Sequence, residues 1–305
     1  MSTAKSLGFS PERLARIDRF LQAKYIDAGR LAGVQFLLAR GGEVAHQSVL
    51  GMADAERRTP LAEDTVFRIY SMTKPVTSVA LMSLVEEGLI ALDDPVAKHI
   101  PEFANLGVFV AGYNPGFMTR APDRPMLVVD LLRHTSGLTY SFQSRTNVDA
   151  AYRELRLEEF HGRLDLAGMV GALGKLPLEF SPGDAWNYSV STDVVGYLVQ
   201  KIAGKPLGQV FQERIFDPLK MTDTGFFVRE DQRSRLAACY EATPQGGRKL
   251  QDDPAVSPFL APPRLESGGG GLVSTAADYL RFANMLMRGG ELEGARILAP
   301  KTVRL

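Results

Sequence analysis

The sequence predicts a mixed α/β (α+β) fold, in which an antiparallel sheet is flanked by helices and a helical region is inserted into it. Three observations lead to this prediction. Strand-like runs lie at 31–50 and again from Phe226 onward, whereas helix-length segments dominate the middle of the chain. Sheets and helices bury their apolar faces in layers, so strands from both ends are expected in one sheet. We therefore assign 1–90 and 225–305 to a sheet domain and 91–224 to a mainly helical domain.

Capping and turn residues define the individual elements. Ser10-Pro11-Glu12 is typical of a helix start, and this helix is predicted to run to about residue 28. Gly41-Gly42 is a good two-residue turn between strands at 31–40 and 43–50. A short strand at 65–69 leads into a buried helix that Gly88 ends. Further helices are predicted at 127–133, 164–176, 191–204, 206–216 and 276–287. Gly137 is expected to end the first of these, and Thr275 to cap the last.

The composition is that of an ordinary globular protein, with 45% hydrophobic and 23% charged residues in 305. Lysine plus arginine and aspartate plus glutamate both number 35, so nucleic acid is not an expected partner. No apolar run approaches about 18 residues and no signal-type N-terminus is present, so we expect no membrane partner and a cytoplasmic location. The single cysteine, Cys239, allows no intrachain disulfide, and the four histidines are too scattered to predict a metal site.

The most informative stretch is Ser71-Met72-Thr73-Lys74, which places a hydroxyl and an amine one helical turn apart. Residues at i and i+3 lie about 5–6 Å apart, and an unprotonated lysine can take the proton of a serine nucleophile. Pro75 is tolerated only in the first helical turn, so Ser71 is expected at the helix N-terminus, where the dipole favours an oxyanion. As a bare pattern, Ser-x-x-Lys is common by chance, so the other segments must decide its meaning.

A second stretch, from Pro182 to Val190, contains Tyr188 just before a predicted helix. A tyrosine beside a lysine can relay a proton between serine, substrate and water, although a tyrosine in a loop is more often a packing residue. The glycine run 268–271 lacks a following Gly-Lys-Ser/Thr, so it does not predict a phosphate loop. We interpret it as close packing or as a loop that borders a cleft.

Together these segments resemble the serine β-lactamase and penicillin-binding superfamily, and within it the class C β-lactamase-like carboxylesterases (family VIII esterases). The resemblance lies in Ser71 to Lys74, 85–95, 132–138, 180–183, Tyr188-Ser189, 215–224 and 269–278. It implies a β-lactamase-like fold without a cofactor, in which Ser71 is the acylated nucleophile, Lys74 its partner and Tyr188 the catalytic tyrosine. It also implies that the substrate-binding residues are Tyr70, Tyr140, Trp186 and Val190, and that His134 is a hydrogen-bonding anchor.

Two departures from the family pattern shape the expected function. Val190 stands where many relatives have asparagine, which removes an amide that would bind a β-lactam side chain and favours esters. The third family motif (Lys-Thr-Gly, His-x-Gly or Trp-Gly-Gly) is missing, because Lys301-Thr302-Val303 has no glycine and lies in a predicted helix. We therefore expect a truncated or processed chain that lacks the C-terminal strands. A C-terminal fragment or a second chain is then expected as the partner that completes the sheet.

The resulting hypothesis is a serine hydrolase that cleaves small-molecule carboxylic esters of short acyl chains through an acyl-enzyme on Ser71. Either Lys74 or Tyr188 could be the base. An acyltransferase, or weak β-lactamase or penicillin-binding activity, would use the same serine. The alternative from a different class is a non-catalytic ligand-binding fragment.

Overall fold

The structure is a computed structural model that describes residues 4–305, and it divides them into two compact units. Unit 1 consists of the described residues up to Arg68 together with Leu219–Pro262 and Val273–Arg288. Unit 2 consists of Ile69–Pro218, Pro263–Leu272 and Gly289–Leu305. The chain therefore leaves unit 1 and returns to it, as expected for an insertion.

Most of the helices lie in the middle of the chain, and strands precede and follow them. The helices are α1 Pro11–Leu21, α2 Thr73–Glu86, α3 Val96–His99, α4 Val128–Arg133, α5 Asn147–Glu154, α6 Leu166–Leu173, α7 Ser191–Ala203, α8 Leu207–Phe211, α9 Asp217–Leu219, α10 Ala276–Met287 and α11 Pro300–Arg304. The strands are β1 Gly33–Arg40, β2 Glu43–Asp54, β3 Thr59–Pro60, β4 Phe67–Arg68, β5 Val108–Ala111, β6 Met118–Arg120, β7 Cys239–Ala242, β8 Arg248–Asp252, β9 Val273–Ser274, β10 Glu291–Leu292 and β11 Ala295–Arg296. Short 3₁₀ turns lie at Tyr70–Met72, Pro101–Phe103, Ser141–Gln143, Glu230–Arg235 and Pro258–Leu260, and π turns at Gln22–Ile26 and Gln212–Phe216.

Unit 1 is built on the antiparallel sheet β1-β2-β3, with α1 packed on β2 and α10 on β1. The predicted hairpin turn is confirmed, since Gly41 and Gly42 adopt φ angles of 62° and 90°, which a glycine reaches without strain. Strands β4 and β9 pair antiparallel, so segments from the two ends of the chain meet as predicted. Within residues 4–305 no strand pairs with the second edge of β1, and the partner predicted to complete the sheet stays a prediction.

Unit 2 is organised around α7, against which α2, α4, α6 and α8 pack. Fully buried side chains of these helices include Leu81, Val194 and Leu198, and each such side chain stabilises the fold by about 1.5–3 kcal/mol. Gly268 allows a close approach to α7, because a Cβ atom there would lie 2.8 Å from the carbonyl oxygen of Thr192 and 3.2 Å from Cα of Gly196. This contact brings the glycine run beside the first turns of α7.

Some elements differ from the sequence prediction. Helix α4 ends at His134, which adopts the left-handed conformation (φ 56°), three residues before Gly137, whose φ is also positive (86°). Helix α5 is absent from the predicted elements, although Thr146 caps it by accepting the N–H of Asp149. Unit 2 also contains the hairpins β5-β6 and β10-β11, so it is mainly but not wholly helical. Residues 69–90, which the sequence assigns to the sheet domain, group with unit 2 because α2 packs on α7.

No helix within residues 4–305 combines the length and the apolar character that a membrane span requires.

Candidate active site

The predicted nucleophile lies at the start of a buried helix. Ser71 is the middle residue of the turn Tyr70–Met72, which continues directly into α2. Pro75 is the third residue of α2, where the absence of an N–H costs no helical hydrogen bond. Tyr70, just before the nucleophile, has a φ of 41°, an uncommon conformation for a non-glycine residue. The local sequence therefore presents the Ser71 hydroxyl at a helix N-terminus, as predicted.

The three side chains predicted to be catalytic meet at one point. The Tyr188 hydroxyl donates to Oγ of Ser71 at 2.5 Å, and Nζ of Lys74 donates to the same oxygen at 3.2 Å. Nζ of Lys74 also lies 4.5 Å from the centre of the Tyr188 ring, so the two proton-carrying groups are neighbours. A serine oxygen in contact with two groups that can exchange protons has the geometry of an activated nucleophile.

A backbone carbonyl and a buried carboxyl group support the lysine. Nζ of Lys74 donates to the carbonyl oxygen of Gly269 at 2.7 Å. The N–H of Gly269 donates in turn to Oδ1 of Asp193 at 3.0 Å, and the Ser267 hydroxyl donates to the same oxygen at 2.5 Å. Burial raises the pKa of Asp193, and the Ser267 and Gly269 hydrogen bonds and the positive charge of Lys74 partly oppose this effect.

His134 supports the segment that carries Tyr188. Its ring centre lies 5.0 Å from that of Tyr188, and its Nδ1 accepts the N–H of Ser189 at 3.3 Å. Its backbone carbonyl accepts the N–H of Asn187 at 2.9 Å. Burial, with a smaller contribution from Lys74, lowers the pKa of His134 to about 4, so the imidazole is neutral at pH 7. These contacts agree with the predicted role of His134 as a hydrogen-bonding anchor.

A cavity of about 200 Å³ opens at Ser71. It is lined by Tyr70, Ser71, Tyr140, Phe142, Glu158, Phe160, Met169, Tyr188, Asp193, Leu265, Ser267, Gly269 and Gly270. Most of this wall is aromatic or aliphatic, which suits the apolar part of a small acyl group. The cavity and its lining residues all belong to unit 2.

The four residues predicted to bind substrate occupy different positions. Tyr70 and Tyr140 line the cavity, and Tyr140 is nearly buried, which raises the pKa of its phenol. Trp186 is 67% exposed and lies beside Tyr188, with ring centres 6.4 Å apart, rather than in the cavity wall. Val190 corrects our expectation: its side chain is fully buried and borders no part of the cavity. Its carbonyl accepts the N–H of Asp193 at 2.9 Å, so it belongs to the start of α7.

Several residues of the site carry no local sequence signal. Asp193 is an isolated acidic residue in the sequence, Glu158 is one of two adjacent glutamates, and Phe142 and Phe160 occupy ordinary apolar positions. Only tertiary packing brings them to the cavity wall. The glycine run is the one available clue, because its sequence is compatible with a loop bordering a cleft, and Gly269 and Gly270 do line the cavity.

Glu158 is a half-buried carboxyl group in the cavity wall. It accepts the N–H and the hydroxyl of Ser141 at 2.7 and 2.8 Å. Burial outweighs these hydrogen bonds and raises its pKa from 4.5 to about 7. Because the pKa is higher in the folded state, the stabilising contribution of this group is complete below about pH 4.5 and is lost as the pH rises to about 7.

Glu158→Gln should therefore flatten the pH dependence of stability. Glutamine keeps an oxygen for the N–H of Ser141 but cannot ionise. Between pH 5 and pH 8, the free energy of unfolding should decrease in both proteins or in the wild type alone. The decrease should be larger in the wild type than in the variant by about 2–3 kcal/mol. Urea unfolding at the two pH values measures this difference, with the exposed Glu159→Gln as control. Equal losses in Glu158→Gln and wild type would contradict the assigned pKa.

Comparisons with known proteins place this geometry in a family. A sequence profile of the Beta-lactamase family matches residues 17–305. Protein Rv1367c of Mycobacterium tuberculosis is 40% identical over 279 residues, which span 92% of this chain and 68% of that protein. Esterase EstB of Burkholderia gladioli is 32% identical over 275 residues, which span 83% of this chain and 64% of EstB.

A solved structure agrees with the sequence comparison. EstCE1, described as a hydrolase with promiscuous acyltransferase activity, superposes with a TM-score of 0.79 at 28% identity, covering 96% of this chain and 76% of EstCE1. The predicted β-lactamase-like fold is thereby confirmed. Since the profile extends over almost the whole sequence and relatives of 40% and 32% identity align with most of it, this chain belongs to the beta-lactamase family.

Proposed function

We propose that this protein is a serine hydrolase that cleaves carboxylic esters of short acyl chains through an acyl-enzyme on Ser71. The observation that carries the proposal is the contact of Oγ of Ser71 with both Tyr188 and Lys74, at 2.5 and 3.2 Å, at the mouth of the cavity. The similarity to an esterase and to a hydrolase with acyltransferase activity supports the same reaction class.

Acylation follows from these contacts. The Ser71 proton passes to Lys74 in its amine form or to Tyr188 in its phenolate form, while Oγ bonds to the ester carbonyl carbon. The N–H of Ser71, at the start of α2, is positioned to stabilise the oxyanion. When the carbonyl reforms, the bond to the alcohol oxygen breaks, and the proton held by Lys74 or Tyr188 passes to the leaving alkoxide. Both candidate bases stay open in this scheme, because both contact Oγ.

Deacylation uses the same groups in reverse. Water loses a proton to the Lys74–Tyr188 pair and attacks the acyl carbon, which releases the acid and returns the proton to Ser71. If an alcohol takes the place of water, the same step transfers the acyl group. The description of EstCE1 as a hydrolase with promiscuous acyltransferase activity favours transfer as the second candidate function. The ratio of ester to acid formed from one acyl donor, with and without added alcohol, separates the two functions.

The cavity favours short acyl chains over β-lactams. At about 200 Å³ and with aromatic walls, it can bury a small apolar acyl group. The residue at the position of the family asparagine is the buried Val190, which offers no amide to a β-lactam side chain. We therefore propose ester cleavage as the main activity and at most slow acylation by β-lactams.

The direct test is the intact mass of the protein after incubation with p-nitrophenyl acetate or a serine-reactive phosphonate. We expect one adduct per chain, located on Ser71 by peptide mapping, and no adduct on Ser71→Ala. A folded sample without an adduct, or with the adduct on another residue, would contradict the proposal. The absence of any adduct would favour a non-catalytic ligand-binding protein, whereas an adduct elsewhere would assign a different nucleophile.

A further inference from the structure

Asp193 is a buried acid that the proposed reaction does not use. It is 3% exposed, and none of the ion pairs found among the described residues involves its carboxyl group. Burial of a carboxyl group without a cationic partner costs free energy, which hydrogen bonds must offset. The hydrogen bonds that its carboxyl group accepts from Ser267 and Gly269 both end on the same oxygen, Oδ1. Gly269 is also the residue whose carbonyl oxygen accepts a hydrogen bond from Nζ of Lys74.

The backbone at Gly269 fits closely between Asp193 and Tyr140. A Cβ atom at this position would lie 2.5 Å from Oδ2 of Asp193 and 2.8 Å from the Tyr140 hydroxyl, so no side chain fits without displacement. The N–H of Gly269 faces Asp193, and its carbonyl oxygen faces Nζ of Lys74 at 2.7 Å. The position of this carbonyl is therefore determined by the Asp193 carboxyl group on one side and by steric contact on the other.

The carbonyl of Gly269 in turn orients the amine of Lys74. Nζ lies 3.2 Å from Oγ of Ser71, to which it donates. In the amine form Lys74 has two N–H groups and one lone pair, so an N–H directed to Gly269 limits where the lone pair that takes the Ser71 proton can point. We propose that Asp193 is a positioning residue, which holds the Gly269 backbone through Oδ1 and thereby orients Lys74 toward Ser71. This inference rests on the proposed function, because it assumes that Ser71 is acylated.

The hydrogen-bond pattern predicts how substitutions of Asp193 will differ. Asp193→Ala removes the acceptor for Gly269 and should lower the acylation rate of Ser71 by about 10–100-fold, because a small displacement of a catalytic group has effects of this size. KM should change less than about 3-fold, since the cavity wall stays largely intact. Asp193→Asn retains an oxygen at Oδ1 and should acylate within about 5-fold of the wild type. If the loss reflected only structural damage, kcat and KM would not separate in this way.

Asp278 offers a matched control in unit 1. It is also buried, its pKa is also raised by burial, and its Oδ2 accepts one backbone N–H (Asp223, 2.7 Å) and one hydroxyl (Thr224, 2.9 Å). Asp278→Ala should lower the melting temperature without a selective loss of kcat.

Gly269→Ala provides a second variant in case Asp193→Ala does not fold. It displaces the same carbonyl while Asp193 is retained, and it should show the same loss of kcat.

The experiment is the rate of Ser71 adduct formation by intact mass, together with kcat, KM and melting temperature for each variant. Slow acylation in Asp193→Ala with near-normal rates in Asp193→Asn and Asp278→Ala is the expected result. A folded Asp193→Ala that acylates Ser71 at the wild-type rate would overturn the positioning role, and so would an Asp193→Asn variant as slow as Asp193→Ala. If the wild type itself forms no adduct on Ser71, the proposed function fails and the inference fails with it.

Discussion

Ser71→Ala is expected to lower ester turnover by about 10⁴-fold or more, because removal of a nucleophile leaves only the contributions of binding and oxyanion stabilisation. Folding should be unaffected, since Ser71 is exposed and its side chain fills no core position. Hydrolysis of p-nitrophenyl acetate by the purified variant measures the loss.

A serine on α2, the helix that follows Ser71, serves as the control for this variant. The Ser83 hydroxyl bonds to the carbonyl oxygen of Ala80 and lies outside the cavity wall. Ser83→Ala should therefore retain turnover within a few-fold. Near-normal turnover in Ser71→Ala, with a melting temperature equal to that of the wild type, would rule out Ser71 as the nucleophile.

Lys74→Met and Tyr188→Phe should each lower kcat by about 10²–10⁴-fold, the usual contribution of a positioned acid or base. Methionine retains most of the apolar stem of Lys74, and phenylalanine retains the ring that packs on His134 at 5.0 Å, so both variants mainly remove a proton carrier. Stopped-flow measurement of the p-nitrophenol burst separates acylation from deacylation in each variant.

The two losses should combine less than additively. Because Lys74 and Tyr188 both contact Oγ of Ser71, the double variant should lose much less than the product of the single effects. Lys201→Met and Tyr197→Phe on α7 lie outside the cavity wall and serve as controls. Full additivity, or a burst of normal rate in either single variant, would contradict a shared role in proton transfer.

The local elements of the site are predictable because their signals are short in range. Pro75 restricts where α2 can begin, and this restriction alone places Ser71 at the helix start. Gly41-Gly42 and the Thr275 cap act over two to four residues, and the predicted hairpin and the start of α10 are both observed. The positive φ predicted for Gly137 is observed (86°), but α4 already ends at His134, which adopts the left-handed conformation (φ 56°) although it is not a glycine.

The family motifs predict which residues meet but not what surrounds them. The spacing of a hydroxyl and an amine one helical turn apart indicates Ser71 and Lys74, and the resemblance to the family adds Tyr188; the three side chains meet in the structure. Val190 shows the limit of this reasoning: its identity suggests a substrate contact, whereas packing buries it at the start of α7.

Only the tertiary structure decides the wall of the cavity and the support of Lys74. Asp193 and Gly269 are far apart in the sequence, and they meet because Gly268, which has no Cβ atom, lies close to the backbone of α7. The raised pKa of Glu158 likewise depends on burial among residues distant in sequence. Such contacts arise from packing and desolvation, which depend on residues far apart in the sequence. Helix caps, turns and the spacing of side chains on a helix face follow instead from covalent geometry and local hydrogen bonds, so a short segment of sequence is enough to predict them.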